Sequence, residues 1–191
     1  MKKILEKAIK IITNRWTQLI TVLFLLIASI ITFIYSLGFS TNWAVARTAV
    51  HSFSQVAQEQ NRIFYTLGMI SLVAAGFTLG IGGHRRKKFF WSNLVVNLTA
   101  GVINIVTGVY IIIQMLRLEP MYVALGSLWE MTHIQNESTF STVTFTIGHF
   151  VGAIAICAGL LIILMTAVKC LTQPKRKTLN VVERQSGGIT R

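Results

Sequence analysis

The stretch that decides the fold is residues 85–116, RRKKFFWSNLVVNLTAGVINIVTGVYIIIQML. Four consecutive basic residues precede a run from residue 89 to residue 116 that contains no Asp, Glu, Lys or Arg. The hydrocarbon core of a bilayer is about 30 Å thick, and a helix of about 20 apolar residues crosses it. The run therefore predicts a transmembrane helix, and the basic cluster predicts a loop that stays in the cytoplasm.

Three further windows are free of charged residues in the same way: 16–46, 63–84 and 138–168. We therefore predict four membrane spans, at residues 18–38, 63–83, 92–116 and 142–168. The chain of 191 residues is 53% hydrophobic and 13% charged, with a mean hydropathy of +0.62. These values exclude an ordinary soluble domain and favour one membrane domain. The expected fold class is an all-α integral membrane protein with a four-transmembrane-helix bundle.

The basic residues predict the orientation of this bundle. Fifteen of the 18 Lys and Arg lie before the first span, in the 85–88 loop or after residue 168, and the other two loops hold only Arg47, Arg62 and Arg117. Because positive charge accumulates in cytoplasmic loops, both termini are expected in the cytoplasm, with the protein in the plasma membrane. The net charge of +12 then indicates contact with anionic phospholipids rather than nucleic acid, and the expected headgroup ligands are Arg85, Arg86, Lys87 and Lys88.

The chain divides into three predicted segments. Residues 1–16 alternate apolar and basic positions at helical spacing, which predicts an amphipathic helix in the headgroup plane. A cleaved signal peptide is a rival interpretation, but the apolar run that follows is too long for one. Residues 17–171 form the bundle, and residues 172–191 are predicted to be a basic, mobile cytoplasmic tail. The first outer loop predicts a short amphipathic helix from the spacing of Trp43, Ala46, Val50, Phe53 and Ala57.

Every span carries one stripe of small or polar residues at alternating spacings of three and four. Such a heptad seam predicts a left-handed bundle in which small residues let the helix backbones approach. The residues expected at helix interfaces are Gly68, Ala75, Gly82, Gly148, Gly152 and Gly159.

The third span is the most polar, with Asn97 and Asn104 in its seam and Asn93 and Gln114 near its ends. A carboxamide that faced lipid would leave its donors and acceptors unsatisfied, so these side chains should point into the bundle. They are either hydrogen-bonded contacts between helices or the lining of a polar path. The first interpretation is favoured because no ionisable partner accompanies the amides, and transport paths usually contain one.

His149, in the fourth predicted span, is expected to be a neutral histidine bonded to a neighbouring helix or to interfacial water. The alternative is a proton or metal site, which His51 and His133 in the two outer loops could approach. The chain has no Asp, no C-x-x-C pair, no phosphate-binding Gly-rich loop and no H-E-x-x-H sequence. We therefore predict no catalytic residues, no bound metal and no cofactor.

These observations favour a non-enzymatic subunit or scaffold that partners another membrane protein or forms a homo-oligomer. The outer face expected to meet the partner carries Trp43, Phe53, Tyr122 and Trp129 together with four Glu. The alternative function is a small permease or channel with a polar path along the third span, through Asn97, Asn104 and Gln114. A third hypothesis is a metal or enzyme site built on the outer-face histidines.

Overall fold

The computed structural model describes residues 7, 9–45, 52–81, 91–125 and 141–172, and most of them lie in long helices. The four helices that dominate these residues are α1 (Arg15–Val45), α2 (Ser52–Ile81), α3 (Trp91–Ala124) and α4 (Thr142–Leu171). All four are long and apolar enough to cross a membrane. Nearly all of the described residues are helical, and the four apolar helices indicate a multi-pass membrane protein, as the charge-free windows predict.

Two helix starts have local causes in the sequence. Asn14 precedes α1 and its side-chain oxygen accepts a hydrogen bond from the Trp16 backbone N–H at 3.2 Å, as an N-cap residue does. Ser141 precedes α4 and exchanges bonds with Thr144, whose backbone N–H donates to the Ser141 carbonyl at 2.9 Å. Before Asn14, residues 9–12 are helical and the chain turns at Thr13.

The four helices pack in chain order around a square, since each contacts the next one along the chain and α4 returns to α1. The contact between α3 and α4 is the most extensive. It is built on four glycines in antiparallel register, with Gly101 against Gly159 and Gly108 against Gly152. A Cβ placed on Gly108 would lie 2.5 Å from the Gly152 carbonyl oxygen, so only glycine permits this separation of the backbones.

The interior of the bundle changes character along its axis. We call the end that contains Gln18 and Lys169 the termini end, and the end that contains Phe39 and Phe145 the aromatic end. Next to the polar termini end lies an apolar layer: Val22, Leu25, Ala28, Ala75, Ala100, Ala158, Ile162 and Met165. A mid-span polar layer follows: Ser29, Thr32, Ser71, Asn104 and Thr107. The aromatic cluster closes the other end: Phe39, Phe53, Phe64, Tyr122 and Phe145.

The helices are longer than the predicted spans, at 30 to 34 residues each. Helix α3 continues through Pro120 to Ala124, and buries Leu118 and Tyr122 beyond the predicted end at residue 116. Phe53 and Ala57 belong to α2 itself rather than to a separate loop helix, while residues 46–51 lie outside the described part of the chain. Burial of aromatic side chains at this end explains the added helix turns.

Phe53 and Tyr122 are also placed differently from the prediction. Both are almost completely buried, and their ring centroids lie 5.7 Å apart inside the aromatic cluster. They pack against other aromatic side chains of the bundle, because a ring buried there gains contacts that it would lack at the interface. These two residues therefore do not contribute to an outer surface that a partner could meet.

Candidate functional site

The mid-span polar layer is centred on Asn104, which joins α3 to α1 across the bundle. The Ser29 hydroxyl donates to the Asn104 side-chain oxygen at 3.0 Å, and the Asn104 amide donates to the Ala100 carbonyl at 3.0 Å. Both side chains are 0% exposed. Asn104 therefore satisfies its oxygen and its amide with partners inside the protein, as a buried carboxamide requires.

The other members of this layer are satisfied in the same way. Ser71 and Thr107 share a hydrogen bond of 3.1 Å between α2 and α3, and the Thr32 hydroxyl donates to the Ala28 carbonyl at 2.8 Å. None of these three side chains has accessible surface, so no water-sized space adjoins them. The layer is dry and closed on itself.

The layers on either side of it are apolar. Toward the termini end, Leu25, Ala75, Ala100 and Ile162 fill the interior with no accessible surface. Toward the aromatic end, Phe39 and Phe64 meet edge to face with ring centroids 5.0 Å apart. The polar groups near mid-span are thus separated from both ends of the bundle by packed hydrocarbon.

A second polar constellation lies at the termini end, and its buried lysine is not predicted from the sequence. Lys169 is only 6% exposed, and its Nζ donates to the Gln18 side-chain oxygen at 2.7 Å. The Gln18 amide in turn donates to the Thr13 carbonyl at 3.0 Å. This chain of bonds fastens the turn before α1 to the last turns of α4. The predicted fourth span ends at Val168, which places Lys169 among the cytoplasmic basic residues just after the span, although its side chain points into the bundle.

Asn97 and Asn93 are buried at the same end, each 5% exposed, near the start of α3. Thr166, one turn before Lys169, is fully buried, and its hydroxyl has no hydrogen-bond partner. Two asparagines, a threonine, a glutamine and a lysine therefore face the interior within the first turns of the bundle. Ala100, about one helix turn from each, lies between Asn97 and Asn104 on α3.

Gln114 lies in the opposite half of α3, near the aromatic cluster. It is 8% exposed, and its side-chain oxygen has no hydrogen-bond partner. The nearest turn of α3 toward mid-span contains Tyr110, whose hydroxyl donates to the Gln60 side-chain oxygen of α2. The three predicted path residues Asn97, Asn104 and Gln114 thus share one face of α3 but belong to three separate polar layers.

His149 has a bond within its own helix. One ring nitrogen, Nδ1, lies 2.8 Å from the Phe145 carbonyl oxygen, one turn earlier in α4. His51 and His133 lie outside the described residues. Within the part of the chain that the structure describes, no group of three His, Cys, Asp or Glu side chains could hold a metal ion.

The predicted interface residues occupy three different contacts. Gly148 faces Tyr35 and Met115, Gly152 and Gly159 face α3, and Gly68 faces Ser36 of α1. Ala75 belongs to the apolar layer, and Gly82 lies outside the described residues. Gly101 and Gly108, the partners of Gly159 and Gly152, were not singled out from the sequence. Their spacing of seven, which matches that of Gly152 and Gly159, is the signal that could have identified them.

What this interior can do chemically is hold helices together by hydrogen bonds and by close backbone contact. The described residues inside the bundle near mid-span include no charged group, and the thiol of Cys157 lies on the exposed side of α4. Arg85, Arg86, Lys87 and Lys88 lie outside the described part of the chain. Comparisons with protein-family models, with curated proteins and with solved structures find no match to this chain.

Proposed function

We propose that this chain is a non-enzymatic membrane subunit or scaffold that partners another membrane protein. The observation that carries the proposal is the mid-span polar layer, whose side chains are hydrogen-bonded within the protein and have no accessible surface. A carrier or channel needs polar groups that contact a solute or water. The polar groups of this layer are instead hydrogen-bonded to other groups of the bundle. A stable bundle of this kind leaves its outward surfaces and loops free for a partner.

The proposed orientation has both termini and the 85–88 loop in the cytoplasm, with the chain in the plasma membrane. Its support is the unequal distribution of Lys and Arg. Reporter fusions after Arg86 and at the C-terminus should report the cytoplasm, and fusions after Gln58 and Ser127 the outside. An external signal from the Arg86 fusion would overturn the topology. The proposal also includes a left-handed bundle, an interfacial helix in residues 1–16 and a cytoplasmic tail in residues 172–191.

The partner surface that we propose lies at the aromatic end. The described residues there include exposed Glu59, Arg62 and Arg117, and the segment between α3 and α4 adds Trp129, Glu130 and Glu137. Acidic and basic residues around an aromatic residue are typical of a protein interface, in which a polar rim surrounds a buried aromatic side chain. Because Phe53 and Tyr122 are buried in the core, the remaining candidates are Trp43, Trp129 and the acidic residues.

A permease is the competing function, and one observation favours it. The termini end holds Lys169, Gln18 and Asn97, so an ionisable group does accompany the amides at that end. A path would also have to cross the apolar layer and the aromatic cluster, both of which are packed without accessible surface. The subunit role fits these layers better than a path does.

The test is the composition of the particle extracted in mild detergent from the native membrane. We expect a second protein at fixed stoichiometry through two purification steps, identified by mass spectrometry. The Glu130→Lys, Glu137→Lys double variant should lose this protein, while Glu183→Lys in the cytoplasmic tail should keep it. A wild-type particle that holds only this chain, and that mediates solute flux in vesicles, would contradict the proposal.

A further inference from the structure

Near the aromatic end, the contact between α2 and α3 carries five polar or charged side chains that we call the Tyr110 cluster: Glu59, Gln60, Tyr110, Gln114 and Arg117. The Tyr110 hydroxyl donates to the Gln60 side-chain oxygen and so joins the two helices. Gln114 and Arg117 follow Tyr110 by four and seven residues, a spacing that places all three on one side of α3. Glu59 is the neighbour of Gln60 in α2, so both helices contribute to one polar surface.

The Tyr110 cluster contains one charge of each sign, and the two charges are not joined to each other. Glu59 and Arg117 are both exposed, and they are the two charged side chains that act electrostatically on the Tyr110 hydroxyl. Neither forms an ion pair or a side-chain hydrogen bond with any residue that the structure describes. A carboxylate and a guanidinium therefore lie near one hydroxyl group, and each is available to a ligand.

Gln114 adds an acceptor that the protein does not satisfy. Its side chain is 8% exposed, and its oxygen has no hydrogen-bond partner. A buried carbonyl oxygen without a donor is costly, so this position favours a ligand that carries N–H groups. Together with the two charges, this acceptor indicates a dipolar ligand that has a primary ammonium at its positive end.

The cluster lies along the helices at the level of a lipid headgroup. Arg117 directly follows the charge-free window that ends at residue 116, and Glu59 lies four residues before the window that begins at residue 63. The apolar part of both helices therefore ends at the cluster. Ile63 and Ile113, one turn nearer to mid-span than Glu59 and Arg117, are 41% and 54% exposed. A ligand in this position contacts charged groups on one side and lipid hydrocarbon on the other.

We propose that the Tyr110 cluster binds the headgroup of phosphatidylethanolamine, with the phosphate on Arg117 and the primary ammonium on Glu59 and Gln114. A guanidinium matches the phosphate oxygens, and carboxylate and carboxamide oxygens accept from the three N–H groups of the ammonium. Phosphatidylcholine lacks these N–H groups, and phosphatidylglycerol has a net negative charge that Glu59 repels. The inference goes beyond the proposed function and does not depend on a partner protein, because bound lipid and bound protein are separate readouts.

The experiment measures the lipid retained by the purified full chain. The protein is equilibrated with vesicles of equal parts phosphatidylethanolamine, phosphatidylcholine and phosphatidylglycerol, re-extracted in mild detergent, and weighed intact by native mass spectrometry. We expect one phosphatidylethanolamine per chain, in about tenfold excess over either other lipid. Equal retention of the three lipids would overturn the proposal.

A soluble competitor distinguishes a lipid from a free zwitterion. Glycerophosphoethanolamine has the same headgroup without acyl chains, so it gains nothing from the hydrocarbon beside Ile63 and Ile113. We expect it to leave the retained phosphatidylethanolamine in place. Displacement of the lipid by this compound would contradict the assignment of a lipid as the ligand.

Two variants assign the two ends of the headgroup. Arg117→Gln should reduce retained phosphatidylethanolamine about tenfold, and Glu59→Gln should abolish the preference over phosphatidylglycerol. The matched controls are Arg62→Gln and Glu119→Gln, which change the same residue types at groups that do not act on the Tyr110 hydroxyl, and they should keep the wild-type preference. Because Glu59 and Arg117 are exposed, their variants should keep the wild-type melting temperature in detergent. An unchanged preference in either variant, or an equal loss in the controls, would contradict the assignment.

Discussion

The contacts that α3 makes with its two neighbours differ sharply, although both contain small residues. Against α4, Gly101 and Gly108 lie directly on the backbone of Gly159 and Gly152, and no space remains between the helices. Against α2, the small residues are Ala74 and Ala100, which form the floor of an open groove. One side of α3 is therefore sealed by backbone contact, while the other leaves a groove between the two helices.

The glycines of α2 explain this difference. Gly76 and Gly80 form a GxxxG pair, yet a Cβ on either would meet nothing within 4 Å, because both point away from α1 and α3. The count of glycines in a span does not predict how closely it packs. What decides the separation of two helices is whether glycines on both face each other at the same height, as they do between α3 and α4.

The largest effect is expected from Gly152→Leu. A Cβ at this position would lie 2.6 Å from Ile112 Cγ1 and 2.8 Å from the Gly108 carbonyl oxygen. Separating the helices to admit it should lower the free energy of unfolding by more than about 3 kcal/mol. The matched control is Gly76→Leu, the same substitution at a site with open space, which should unfold like the wild type in detergent. Equal losses of unfolding free energy in the two variants would contradict the claim that facing glycines decide the separation of the helices.

An intermediate effect is expected from Asn104→Ala, which removes the bond from Ser29 and the bond to the Ala100 carbonyl. Hydrogen bonds between membrane helices contribute about 0.6 to 2 kcal/mol, so the variant should lose stability in that range. Any assembly with a partner should survive once expression is matched to wild type. A variant that keeps full stability but loses function would instead point to a polar path.

A smaller effect is expected at the contact between α2 and α3. The Ser71→Ala and Thr107→Val variants each remove one end of the 3.1 Å hydrogen bond on the inner side of the groove. A double-mutant cycle on their unfolding free energies should give a coupling of about 0.6 kcal/mol, far below the Gly152→Leu effect. Coupling near zero would mean that the groove walls are held by apolar packing alone.

The smallest effect is expected from Leu161→Ala. Leu161 is 45% exposed on the lipid side of α4, where a lost side chain is replaced by lipid hydrocarbon. The unfolding free energy of the Leu161→Ala variant should differ from that of the wild type by less than about 0.5 kcal/mol. A loss comparable with that of Gly152→Leu would mean that the helix presents the opposite face to the bundle.

The number of helices and their all-α class could be predicted from the sequence because apolar length and charge distribution are local signals. Which neighbouring helix each face contacts could not be predicted from the sequence. Periodicity identifies Asn104 and Gly152 as inward-facing positions. It does not show that Gly101 and Gly108, each within one turn of Asn104, contact α4. That information depends on the relative rotation of two helices, which packing determines.

Three side chains show a further limit of the sequence. The charge count places Lys169 among the cytoplasmic basic residues that follow the fourth predicted span, yet a long side chain that finds a carboxamide can turn inward. Phe53 and Tyr122 were assigned to an outer face because aromatic residues favour the interface. Their burial depends on rings from other helices, such as Phe145, whose centroid lies 5.6 Å from that of Tyr122.

The central claim is that the interior is sealed at mid-span, and the reactivity of a cysteine at position 104 tests it most directly. The background is Cys157→Ser, Cys170→Ser, which removes both native thiols, each exposed on α4. We expect Asn104→Cys to resist a water-soluble, membrane-impermeant thiol reagent in intact vesicles of either orientation, while the exposed Glu59→Cys reacts rapidly in one of them. Reaction at position 104 as fast as at position 59 would show a hydrated path and contradict the account.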